Sequence, residues 1–141
     1  MNRITIVVLI ASVFLFSCAA QAPFTQQETA FAQKANNYPT TFSLPNDKAE
    51  EAWARAQLFI AQYSNMKIQI ATQYVLQTYN PVGAVPIYGY NITRTPAQNE
   101  TRFTVQCMHS NMWSGKEAQQ NASMLSYYMA TGELELRFVY R

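Results

Sequence analysis

Charge is what this chain has least of. Its 141 residues are 13% charged, against about 25% in a soluble domain. Ten Lys and Arg nearly balance eight Asp and Glu, leaving a net charge of +2. Nothing concentrates positive charge enough to displace counterions from a phosphate backbone, so a nucleic-acid partner is excluded. Histidine occurs once (His109), aspartate once (Asp47) and cysteine twice (Cys18 and Cys107). Zinc sites need three or four such ligands at set spacings. Those patterns are missing, so neither a metal nor another cofactor is expected. Four glycines exclude a collagen-like chain. There is no Gly-rich phosphate loop and no G-x-S-x-G motif. The apolar fraction of 49% argues against overall disorder, and the length allows one domain.

The N-terminal run MNRITIVVLIASVFLFSC is built as an address. Arg3 precedes an apolar stretch from Ile4 to Phe16, which is signal-peptide length and short for a membrane span. It ends in Leu15-Phe16-Ser17-Cys18. This segment resembles the lipobox of bacterial lipoproteins: Leu at −3, a small residue at −1 and Cys at +1. Phe16 stands where that family usually has a small or aliphatic residue. The resemblance covers residues 1–18 and implies a signal peptide over 1–17, diacylglycerol transfer to the Cys18 thiol, cleavage before it and acylation of the new amine. Such an anchor holds a protein on a membrane, since each buried CH₂ contributes about 0.8 kcal/mol. Ala19 at +2, rather than Asp, leans towards the outer membrane. Lipidation of Cys18 would leave Cys107 as the sole thiol, with no intramolecular disulfide.

Residues 18–37 are expected to be the lipidated Cys and a flexible tether. Thr25 and Glu28 have capping-box spacing, so a short helix to about Lys34 is expected there, with only Phe31 to bury. A single domain follows over residues 38–141. Thr40–Leu44 reads as an edge strand. Asp47 and Glu50 have capping-box spacing before a helix whose apolar stripe is Ala49, Ala52, Trp53, Ala56, Phe59, Ile60 and Tyr63. The period changes to two over Lys67–Tyr79: Ile68, Ile70, Thr72, Tyr74, Leu76 and Thr78 face one way, and Gln69, Gln73 and Gln77 the other. Strands are also expected over Ile87–Arg94 and Thr101–Met108. Ser114 and Glu117 make a further capping box, with Trp113 packed before it. The helix then runs to about Ala130 and stops at Gly132. Glu133–Arg141 alternates as a last strand. The expected order is (β)-α-β-β-β-α-β: an α+β two-layer sandwich, with an antiparallel sheet of four or five strands and two helices on one face.

Catalytic candidates are few. Cys107 and His109 lie two apart and would share a strand face; a Cys–His pair is the start of a thiol nucleophile. Cys107 also continues the apolar register of Phe103 and Val105, which suits a core residue. Nine tyrosines and two tryptophans are the more suggestive excess. Tyr88 and Tyr90, with Tyr127, Tyr128 and Tyr140, would suit a groove for a peptide or glycan. Gln69, Gln73 and Gln77 form a candidate polar contact surface, and edge strands a second. The leading expectation is a non-enzymatic, lipid-anchored envelope protein acting as an accessory or binding module, in the outer membrane and facing periplasm or surface. The alternatives are an envelope hydrolase or thiol enzyme using Cys107 and His109, and an accessory subunit of an outer-membrane assembly or secretion machine. Partners are the membrane, through the N-terminal lipid, and an envelope protein.

Overall fold

The computed structural model describes residues 23–111 and 113–135. Cys18 and the signal-like run lie outside the described residues, as do Leu136–Arg141, which make up most of the expected last strand. The part of that strand described, Glu133–Glu135, is neither strand nor helix. The described residues form, in order, α1 (Gln26–Asn36), β1 (Thr41–Pro45), α2 (Asn46–Tyr63), β2 (Ile68–Ala71), β3 (Val75–Thr78), β4 (Tyr88–Pro96), β5 (Glu100–His109) and α3 (Gly115–Thr131). The strands form one antiparallel sheet in the order β1-β5-β4-β3-β2. From β2 to β5 it is a meander. β1 lies beyond β5, so α2 carries the chain from one edge of the sheet to the other. The fold is α+β.

The layers follow from strand parity. Across the sheet Leu76 pairs with Ile92, Ile92 with Val105, Tyr90 with Cys107, and Phe42 with Phe103. These side chains share one face, where they meet the stripes of α2 and α3 in a single core. Of the α2 stripe, Ala49, Ala52, Trp53, Ala56, Phe59 and Ile60 are buried, and Tyr63 at its end is half-buried against the core. Rings do much of the filling: Phe42 stacks on Phe103 at 5.4 Å, and Phe59 meets Tyr90 edge-on at 5.7 Å. Such aromatic pairs add about 0.5–1.5 kcal/mol beyond their area. The opposite face of the sheet is polar. One row across it reads Gln106, Asn91, Gln77.

Lys67–Tyr79 is two strands, not one. The Thr72 Oγ1 accepts the backbone N–H of Tyr74 (3.2 Å) and of Val75 (2.9 Å), folding the run into a β2–β3 hairpin. Alternation survives on both sides of such a turn, which is why the pattern looks continuous. A register shift between Ile68 and Ile70 then sets Ile70 opposite Gln77, on the polar face.

The capping box of α1 forms as the spacing predicts, with Thr25 N–H donating to Glu28 Oε2 (2.7 Å) and Glu28 N–H to Thr25 Oγ1 (3.1 Å). The helix is packed rather than free. It lies on α3, with Ala35 fully buried and Phe31 edge-on to Tyr127 at 5.6 Å. The expected tether is therefore a third helix over its described part, because small Ala side chains let α1 approach α3 closely.

The other two capping boxes do not form. Asn46, the first residue of α2, donates its side-chain amide to the carbonyls of Ala97 and Gln98 and accepts from Thr101. Glu50 turns away to Arg94. At α3, the Ser114 hydroxyl donates to Asn111 Oδ1 (2.7 Å) instead of capping, and Trp113 is exposed. The far end of α3 is as expected: Gly132 is left-handed at φ 79°. Arg55, paired with Glu51 at 2.6 Å, donates to the Met129 carbonyl at 3.0 Å and so caps α3 from α2.

Candidate functional site

Cys107 and His109 end β5 on its helix-facing side, opposite Tyr90 and Tyr88. Both line one cleft of about 500 Å³ between β5 and the start of α3. Burial pushes the Cys107 thiol up to about 12, against an ordinary value of 9.0, although Tyr90 and Asn121 hydrogen bonding pulls the other way. A thiol of that kind is protonated at neutral pH and is a poor nucleophile. The Tyr90 hydroxyl neighbours the sulfur and is buried with it. The imidazole is engaged elsewhere: His109 Nδ1 bonds the Asn111 carbonyl oxygen. The thiol's polar neighbours are thus Tyr90 and Asn121, not His109. The arrangement lacks the thiolate that acyl transfer needs.

The tyrosines expected to line a groove are dispersed. Tyr90 and Tyr88 are core residues, and Tyr127 packs towards α1 while its hydroxyl donates to Glu133 Oε2 at 2.6 Å. Tyr128 lies against Phe59, and Tyr140 is outside the described residues. Rings placed at core parity are drawn inwards, so Tyr88 and Tyr90 offer no surface to a ligand. The three glutamines also part company. Gln69 sits at the register shift of β2, Gln73 in the hairpin turn, and only Gln77 on the polar sheet face.

A second cleft, of about 480 Å³, opens between α2, the β2–β3 turn and the end of β4. Glu50, Trp53 and Gln57 recur at three- and four-residue steps, so they share one face of α2. Thr72, Gln73 and Tyr74 form the opposite wall, and Arg94 reaches in from β4. Arg94 pairs across the sheet with Phe103, which sets its side chain on the helix side. Its Nη2 donates to Glu50 Oε1. The Arg94 side chain is 12% exposed, whereas that of Glu50 is 78% exposed. The hydrogen bond from Arg94 holds the Glu50 carboxyl below its ordinary value. Arg94 Nε is buried without an acceptor among the described residues. None of these residues except Gln73 stands out as a ligand contact in the sequence. Glu50 fits a cap, Trp53 a core stripe, and Tyr74 and Arg94 their strands. The one available signal was a lone cation at the end of an otherwise uncharged strand.

Comparison with protein-family models, with curated proteins and with solved structures finds no match. Among the described residues no group of three His, Cys, Asp or Glu could hold a metal ion. No described helix is long and apolar enough to cross a membrane.

Proposed function

We propose that this chain is a lipid-anchored protein of the bacterial envelope that works by binding rather than by catalysis. The observation that carries the reading is the segment Leu15-Phe16-Ser17-Cys18 closing an apolar run, with the attachment that a lipobox implies. Seven residues separate Cys18 from the first residue of α1, a length that spans at most about 25 Å when fully extended. An anchor at Cys18 therefore holds the domain near the headgroups. The binding reading is supported by the state of Cys107, whose thiol is pushed up to about 12 and lacks imidazole help. It is also supported by the polar cleft between α2 and β4.

Mass spectrometry of the mature chain, extracted from membranes, tests the anchor. The expected N-terminus is Cys18 carrying a diacylglyceryl thioether and an acylated amine. An unmodified Cys18, or an intact Met1, overturns it. In-cell crosslinking then reports whether the domain engages an envelope protein.

A further inference from the structure

The cleft between α2 and β4 holds a guanidinium that its own chain only partly satisfies. Arg94 is largely buried, gives one N–H to Glu50 and keeps Nε without an acceptor among the described residues. An unmet buried donor is costly, and exposed ion pairs contribute little to offset it. Above this floor the Glu50 carboxylate remains mostly open to solvent. Gln57 and Gln73 add a carboxamide from each wall, and the half-exposed Tyr74 ring stands at the rim. Thr72 locks the turn that carries Gln73 and Tyr74 through two hydrogen bonds. These bonds give the turn a defined local shape that presents Gln73 and Tyr74 to the cleft.

The chemistry of the lining selects among ligands. One cation and one anion cancel, so neither an anion nor a cation gains net attraction, and the open Glu50 carboxylate repels phosphate. The polar walls disfavour a purely apolar ligand. Guanidinium, carboxylate and two carboxamides supply both donors and acceptors at close quarters. An aromatic ring beside them offers an apolar platform. A ligand with hydroxyls around its edge and a C–H face matches all of these. The volume of about 480 Å³ lies within the roughly 300–1,000 Å³ of small-ligand clefts and has room for a mono- or disaccharide. We propose that this cleft binds a neutral saccharide, with Tyr74 beneath a sugar face and Arg94, Glu50, Gln57 and Gln73 on its hydroxyls. The proposal deepens the binding-module reading and does not depend on the lipid anchor.

The full chain carrying Trp113→Phe leaves Trp53, in the cleft wall, as the only tryptophan. Its emission is followed during titration with chitobiose, maltose and cellobiose, and with glucuronate as an anionic control. The expected result is a saturable change with at least one neutral disaccharide. Tyr74→Ala and Gln73→Ala, both at exposed positions, should each weaken it about tenfold without lowering the melting temperature. Glu50→Gln tests the ion pair in the same way. Silence from all three neutral sugars, with the chain folded by circular dichroism, overturns the proposal. So does a response to glucuronate alone, or one that both Tyr74→Ala and Gln73→Ala leave intact. A crosslinked envelope partner together with silent sugars would sink the saccharide and leave the binding-module reading standing.

Discussion

Cys107 shows how burial decides what a residue does. A thiol beside the only histidine of a chain invites a catalytic reading, and parity does bring both to one cleft. Solvation overrides proximity: the sulfur is shielded enough to be pushed up to about 12. The expected outcome is a thiol that labels slowly at pH 8 in the folded chain and rapidly after denaturation, followed with a chromogenic disulfide. Rapid labelling of the folded chain would reinstate the thiol-enzyme alternative. The linkage has a definite sign. The unfolded thiol loses its proton near 9.0 and the folded one near 12. Between these values the unfolded state binds fewer protons, so the stability from this group is full below 9 and is lost as pH rises through the folded value. Tyr90, raised mainly by burial, acts in the same direction. Gly89 is a second case of a residue fixed by its neighbours. A Cβ there would stand 2.6 Å from Thr78 Oγ1, the acceptor for the Tyr90 N–H.

Element by element, the helices differ in what holds them. α2 and α3 are secured by broad apolar stripes, whereas α1 has a capping box and a small separate cluster against α3. That cluster has a testable consequence. Ala35 is fully buried, so Ala35→Lys should destabilise the protein by about 3 kcal/mol through overpacking and a buried charge. Urea unfolding of the variant and parent measures the difference. An unchanged midpoint would mean that residues 26–36 are a free tether after all. The β2–β3 hairpin depends on a single hydroxyl, that of Thr72, for three hydrogen bonds around its turn. Its β3 half is held by Leu76 in the core, while all four β2 residues are exposed.

Across the whole molecule, stability is graded from the centre of the sheet to one edge. β4 and β5 share the longest register, from Tyr88 opposite His109 to Pro96 opposite Thr101. They carry Ile92 and Val105 in the core. β2 is a short exposed edge with an irregular register. Native-state hydrogen exchange should therefore protect the amides of Ile92 and Val105 at least about 100-fold more than those of β2. Equal protection would mean that the hairpin belongs to the same cooperative unit as the centre. The gradient bears on the proposed site, because its turn wall hangs from the less stable edge. Its other wall rests on α2, anchored by Trp53 against Phe103 at 6.4 Å. A sugar held between them would tie the loose edge to the firm centre.

Much of this architecture was legible locally. The α2 stripe, the α1 capping box, the stop at Gly132 and the alternation of β4 and β5 each depend on residues within a few positions of one another. For these features period and spacing suffice. Tertiary contacts decided the remainder, and at the helix ends they did so through competition for a hydrogen-bond partner. Glu50 left its cap for Arg94, 44 residues away; Ser114 gave its hydroxyl to Asn111; Asn46 took two loop carbonyls brought close by the β4–β5 hairpin. The candidate cleft belongs to this second class. Trp53, Tyr74 and Arg94 each fit a local role, and only the folding of the β2–β3 turn beside α2 sets them around one volume. A linear pattern reports which face a residue prefers, while the partner it meets there depends on the path of the whole chain.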